Sequence, residues 1–560
     1  MKSFIQTKPG VLLGGAALAL ALVMAAPSAH ANVYASNIKI NGELLAAQAE
    51  QGQNVNISYI LNEPASDGVT INILSNAVVI RTLNVAGGGA GALRGANTVV
   101  WDGKDAGGNF VGLGADYSVS ITAASTGYAN WTTTTSDANE GNSVWEGRGI
   151  AVNQNPKSPY YGRIIVCNSY NGPNLSVPGY NVGMLKLNAD GSYAEEGGHS
   201  TGGHTWGNDY YSPWHVRISA DDYVYINDWS ASGEIYRWDM TLSAASKLHV
   251  LRTDNWAPGC NMSGPEIVGT GTNTLIYMAD IAYPNSQGIV QYTVTEDGTC
   301  AQDDIGTPVI PISYPLSLYP YDVAVDKNGN FYIVQYRSNV TDPSPRVMCY
   351  DSDYNPVWNT ADIYGGLGQA DNSWAYANAV AVNPAGTYVA VAFRGNSGGV
   401  GCTRIFEAAT GAIVTNLNYG LNINGSGTQH SDRACGWDAV GNVYYVDNWV
   451  GVWRAVSPPG ANSSTTEPPV TLEIVAAPPP APVITSCSLA LGTFTLNFTG
   501  GVAEVPGDFE ILSSATVDGT YSYAAGQNIT GGSGVFQATI PAPDQAQFYR
   551  VHRVEAAQAR

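Results

Sequence analysis

No helical period runs through this sequence, and beyond residue 31 no apolar stretch is long enough to cross a bilayer. The first absence argues against helical bundles and α/β folds. The second leaves the mature chain without a membrane span. Charge is scarce as well: 12% of residues are charged, with 24 Lys and Arg against 45 Asp and Glu, a net −21. Such a surface repels nucleic acid and anionic lipid and suits neutral, sugar-like or cationic partners. Plain solubilisation is the competing use of the same charge. The seven cysteines are too few for a disulfide scaffold, and without a CxxC pair a zinc-thiolate or thioredoxin-type reading has no support. Cys260 with Cys300, and Cys402 with Cys435, flank strands of neighbouring units; buried thiols are the equal alternative. There is no GxSxG elbow, no HExxH pair, no P-loop and no Rossmann fingerprint ahead of a helix.

What is present begins with a leader. Lys2 and Lys8, the apolar run Val11 to Ala26 and the small-x-small signal Ala29-His30-Ala31 predict a signal peptide over residues 1–31. The expected product is exported and extracellular, cell-surface or periplasmic, with 22 basic residues against 45 acidic once Lys2 and Lys8 are gone. The Asn-x-Ser/Thr triplets at Asn56, Asn130, Asn174, Asn339 and Asn424 follow from an Asn- and Thr-rich composition and prove no glycosylation.

Between Gly149 and Pro458 one phrase returns six times: a short apolar strand, a polar turn, and a second strand ending on a polar residue. The clearest copies run from Tyr321 to Tyr336, Trp214 to Trp229 and Cys435 to Trp449. The first apolar positions are Ile150, Val216, Ile267, Val323, Val380 and Trp437, at steps of 66, 51, 56, 57 and 57. Hairpins repeating at that period predict four-stranded sheets set radially around an axis, because one such sheet cannot bury both its faces. The expectation is an all-β chain whose residues 148–457 form a six-bladed β-propeller. Residues 125–147 are either linker or the strand that closes the ring. The eight prolines between Pro458 and Pro482 predict a semi-rigid extended linker over 458–483. β-alternation over residues 32–124 and 484–560 predicts β-sandwich modules on both flanks.

Two resemblances follow from particular residues. The run Trp101-Asp102-Gly103-Lys104-Asp105, with Gly107-Gly108-Asn109, Gly114 and Tyr117, resembles the Ig-like module of the flagellar hook-capping protein. It implies a spacer or interaction role without catalysis. The repeat phrase, as in Val323 to Gln335 and Trp437 to Asp447, resembles the NHL class of six-bladed propellers. That class includes binding platforms, lyases and hydrolases, so the likeness implies a fold more than a function. The tryptophan-docking repeats of quinone-dependent propellers are missing. The last module looks like the small Ig-like β-sandwiches that terminate large exported bacterial proteins.

Chemistry on a propeller belongs at the central channel, where equivalent repeat positions converge. The residue before the first apolar position is His215, Glu266 and Asp322 in three consecutive repeats. With Asn378 and Arg148 close by, these are the candidate catalytic residues, able to hold a divalent cation such as Ca or Zn or to act as a base. Polar caps in a wet channel are the plainer use. Trp214 and Tyr321 stand one position earlier. The second strands end on Asn168, Asp228, Asp280, Gln335, Phe393 and Asp447, residues expected to brace loops. Asp228-Trp229 and Asn448-Trp449, the latter just past Asp447, offer an aromatic plate next to a carboxylate or amide, the pairing that grips sugar rings; core packing between sheets is the competing use of the tryptophans. A Gly-rich insertion carries His199 and His204 ahead of His215, a candidate metal set that Asp209 would complete. His430, Asp432 and Arg433 would face the same rim if the ring closes. The leading reading is an exported platform binding carbohydrate or another extracellular protein; the rival is a metal-assisted propeller hydrolase or lyase.

Overall fold

The computed structural model describes residues 32–231, 233–255, 261–282, 286–311, 319–337, 343–366, 372–396, 401–417, 430–541 and 547–554. The leader, Cys260, Asn339 and Asn424 lie outside them. The chain is nearly all-β and divides into two units, the larger comprising residues 1–47, 55–101 and 116–472. No helix among the described residues is long and apolar enough to cross a membrane.

Among its described residues the larger unit contains six successive four-stranded antiparallel sheets, here sheets 1 to 6, the first five built in chain order outward from the first strand and the sixth so for its first three strands. Those first strands are Gly147–Val152, Val216–Ile218, Met262–Val268, Pro320–Val325, Ala377–Val382 and Asp432–Trp437. They touch one another in cyclic order, the sixth returning to the first. The burial pattern explains the ring. Each sheet hides an apolar face against its neighbour: Val323, Ile333 and Met348 of sheet 4 pack on Ala279, Ile289 and Ile310 of sheet 3. The seam between the ends is packed in the same way, Ile150, Val166 and Leu185 of sheet 1 meeting Tyr444, Val446 and Trp453 of sheet 6. This arrangement of small sheets fits a β-propeller.

The repeat phrase has a local cause. In sheet 4 the Asp326 carboxylate accepts from the amides of Asn328 (2.8 Å) and Asn330 (2.9 Å), the Asn330 side chain (2.8 Å) and the Tyr332 hydroxyl (3.3 Å). In sheet 6 Asp438 repeats the pattern with Val440, Gly441, Asn442 and Tyr444. Gly329 and Gly441 sit at φ +82° and +99°, a conformation that costs side-chain-bearing residues strain. Asp, Gly, Asn and Tyr therefore recur because one carboxylate organises a whole turn.

The ring closes with a strand from ahead of it. Thr132–Thr133 is the outer strand of sheet 6, with Thr133 opposite Val456 and Thr132 opposite Ser457. Residues 125–147 thus supply the ring-closing strand.

In the same unit, Ala35–Ile40, Val55–Leu61 and Gly95–Trp101 form a three-stranded sheet. Gly68–Ser75 lies between Val78–Val85 and Gly114–Tyr128 in another. This module is anchored to the ring. Asn442 donates to the Asn32 carbonyl (2.9 Å), the Asn32 amide donates to Ser457 (3.1 Å), and the Tyr34 and Tyr161 rings lie 5.1 Å apart.

The linker expected over 458–483 needs correcting. Gly460–Thr466 is a strand, pairing with Gly114–Tyr128 so that Thr466 faces Ile121. The prolines flank this segment without entering it. Its small polar side chains do the work of apolar ones: Asn462 accepts from the Val33 amide (3.2 Å) and Thr466 donates to the Ala35 carbonyl (2.8 Å). No Cys402–Cys435 bridge is made either, and the Cys435 thiol donates to the Ala390 carbonyl (3.3 Å).

The second unit comprises residues 48–54, 102–115 and 473–560. Asp105 closes a tight turn by accepting from the Asn109 amide (2.9 Å), as Gly-Gly-Asn predicts. A four-stranded and a three-stranded sheet share a core of Leu496, Phe498, Phe509, Ile511, Phe536 and Ile540.

Candidate functional site

One end of the ring, where first strands begin and second strands finish, opens into two adjoining cavities of about 770 and 640 Å³. Both are lined by Arg148, Tyr210, Tyr376, Arg394 and Arg433. The smaller adds Trp214, Trp229, Tyr321 and Tyr336; the larger adds Trp145, Glu146, His430 and Trp449. The aromatic side chains form a continuous wall. Ring centroids are 4.6 Å apart for Trp214 and Trp229, 5.6 Å for Trp229 and Tyr321, and 4.5 Å for both Tyr321–Tyr336 and Tyr336–Tyr376. Trp214, 2% exposed, forms the back of this wall, whereas Trp449, 65% exposed, stands at the rim.

Three guanidinium groups occupy the rest of the mouth. Arg148 pairs with Glu146 (3.0 Å), donates to the Tyr210 carbonyl (3.1 Å) and lies 5.2 Å from the Trp214 ring centroid. Its Nη1 is buried without a protein partner. Arg394 donates to the Tyr336 hydroxyl (2.8 Å) and lies over Tyr376 (5.0 Å). Arg433 donates from Nε to Ser431 (3.2 Å). Among the described residues, Glu146 is the one carboxylate paired with any of the three. Burial, with repulsion from Arg148 and Arg394, pulls Arg433 down to about 9. Arg148 is lowered too, by burial first, while Glu146 opposes the shift.

The proposed catalytic residues lie further down the channel and have a partner that column-wise reading overlooks. Arg217 reaches across from sheet 2, donating to Glu266 (2.8 Å) of sheet 3 and to both oxygens of Asp322 (3.1 and 3.0 Å) of sheet 4. It also donates to the Val380 carbonyl (3.2 Å) of sheet 5. Asp322 accepts in turn from the Val380 amide (2.9 Å). Burial lifts Glu266 to about 7, against the pull of Arg217. His215, 1% exposed, is pushed down to about 4 by burial, and its Nε2 finds no protein partner. Glu266 and Asp322 converge, but on a guanidinium that occupies both acids. Asn378 is fully buried with neither side-chain atom partnered in the protein.

The histidines proposed as metal ligands are not brought together. His199 contacts the Val182 carbonyl (3.1 Å), His204 contacts Asp228 (2.9 Å), and His215 stays in the channel. Among the described residues no group of three His, Cys, Asp or Glu is placed to hold a metal. Asp228 and Asp447, named as ligand contacts, are buried braces. Asp228 accepts from His204, Ser230 (2.8 Å) and the Ala231 amide (3.2 Å). Asp447 accepts from His430 (2.7 Å) and the Ser431 amide (3.3 Å). Arg148, Trp214, Trp229, Tyr321 and Trp449 do line the mouth.

Tyr336 and Arg394 escaped the sequence reading, although a signal for them exists. The residue just past each second strand is Ser169, Trp229, Ile281, Tyr336, Arg394 and Asn448. All but the first line the mouth.

No family model matches the chain, and no curated protein matches it. Among solved structures it is similar to a calcium-bound Trichoderma reesei carbohydrate-active enzyme of family AA12. The identity is 12% and the TM-score 0.35, over 59% of this chain and 98% of that one. The Bacteroides ovatus xyloglucan-locus GH43B matches at 11% identity and TM-score 0.24, over 60% and 97% of the respective chains. A Penicillium chrysogenum α-L-arabinanase complexed with arabinobiose matches at 8% identity and TM-score 0.25, over 76% and 100%.

Proposed function

We propose that the chain is an exported binding protein whose ring, a six-bladed propeller of the NHL type between Ig-like modules, grips carbohydrate at its aromatic mouth. The observation that carries this reading is the wall running Trp214, Trp229, Tyr321, Tyr336 and Tyr376 along one side of a cavity of about 640 Å³. Aromatic faces stack against the C–H faces of sugar rings, and the neighbouring polar groups fix orientation. A metal-assisted hydrolase or lyase has less support, because Glu266 and Asp322 would have to release Arg217 before serving as ligands or bases.

Glycan-array screening of the full mature chain tests the reading, followed by calorimetry on the best ligand. Trp229→Ala should weaken binding about tenfold or more, the usual cost of losing an aromatic anchor. Unchanged affinity in that variant would remove the mouth from consideration. Metal analysis of the same preparation addresses the enzyme reading: about one divalent ion per chain, lost with His215→Ala and Glu266→Ala, would revive it.

A further inference from the structure

We infer that the mouth recognises an acidic saccharide, stacking its ring on the aromatic side and pairing its anionic group with Arg148, Arg394 and Arg433. The inference rests on the carbohydrate reading above and names the class of sugar. Its basis is a segregation around the ring. The three arginines come from sheets 1, 5 and 6, neighbours in the cyclic order. Trp214 and Trp229 belong to sheet 2, and Tyr321 and Tyr336 to sheet 4. One arc of the mouth therefore holds all three cations, together with Tyr376, Trp145 and Trp449, and the other is aromatic without a cation.

The placement is costly without an anion. Like charges gathered in a partly buried cavity repel, and Glu146 offsets only one of them. The rest of the chain makes the cluster conspicuous: acids outnumber bases 45 to 24, yet three bases share this mouth. Structural needs explain only part of their bonding. Nη1 of Arg148 is buried and unpartnered, and among the described residues Arg433 donates to the protein from Nε. Guanidinium groups pair bidentately with carboxylates and bind sulfate with similar geometry. A neutral sugar would leave those donors unused. A bare anion would leave the aromatic arc unused.

The test uses glycan pairs with identical rings that differ only in charge. De-esterified homogalacturonan oligomers are titrated against their methyl esters, and a sulfated galactan against its desulfated form. The first pair reads carboxylate and the second sulfate. The expected result is about tenfold or greater preference for the charged member of at least one pair, falling as salt rises. In Arg394→Gln/Arg433→Gln the ratio of charged to neutral affinity should collapse to about one; in Trp229→Ala both members should bind more weakly with the ratio kept. A thermal melt confirms that the double variant is folded, and Arg394→Gln alone serves if it is not. Equal affinity within each pair overturns the inference and leaves the carbohydrate platform standing. No binding to any member, charged or neutral, overturns both.

Discussion

The mouth and the interior of the same channel treat arginine in opposite ways. Inside, one guanidinium faces two carboxylates and a carbonyl of a third sheet, so Arg217 ties sheets 2, 3, 4 and 5 together. At the mouth, among the described residues, one of three guanidinium groups has a carboxylate partner, Arg148 with Glu146. Where the counter-charge is built in, the cation is a structural pin. Where it is withheld, the cation is, on the proposal above, left for the anionic group of a ligand.

The comparison breaks most sharply at Arg217. Replacing it with Met leaves Glu266 and Asp322 without their counter-charge, and should cost about 3–5 kcal/mol in urea unfolding. Adding Glu266→Gln and Asp322→Asn should recover much of that loss; a triple variant as unstable as the single one would mean the pin acts through packing alone. Trp214→Ala should cost about 3–5 kcal/mol because the side chain is core as well as wall, read as a lower melting temperature.

His215 adds a pH dependence. Its folded value near 4 lies below the ordinary 6.5, so at acidic pH the unfolded chain takes up a proton that the folded chain resists. Stability contributed by this residue is complete above about 6.5 and is lost as pH falls towards 4. The charged groups around it are Asp322, which favours protonation, and Arg217 and Arg148, which oppose it. Wild type should lose on the order of 2 kcal/mol more than His215→Gln between pH 7 and pH 4.5, by urea midpoints at each pH. At the mouth the sign reverses. Arg433→Gln removes repulsion and should raise the melting temperature slightly; a fall would show that the arginine is bound into the fold. Smallest of all, Trp449→Ala at the exposed rim should leave stability within about 0.5 kcal/mol.

The sequence carries the ring clearly because its signals are local. An Asp that organises a turn, the Gly and Asn it needs and the apolar pairs beside it all fall within sixteen residues, as from Tyr321 to Tyr336. The strand at Thr132–Thr133 is only half legible, because a Thr-rich run just ahead of the repeats reads equally as a linker. Arg217 is hidden because its partners lie about 50 and 100 residues away. The arginine cluster is harder still. Arg148 lies within a first strand, Arg394 follows a second strand and Arg433 sits near the start of another first strand, so no single repeat position collects them. Gly460–Thr466 is concealed by the opposite effect: prolines on either side make a sheet strand look like a tether.

Closure by Thr132–Thr133 sets an order of assembly. That segment is synthesised some 320 residues before Val456, its partner, and Ile121 waits as long for Thr466. A chain emerging amino end first carries two unsatisfied β-edges until almost the whole ring exists. Pairings so distant in sequence form slowly, and exposed edges recruit other chains. Completion of the fold is thus a late event, and truncation ahead of residue 443 removes Tyr444, Val446 and Trp453, and with them the packed seam between sheets 6 and 1.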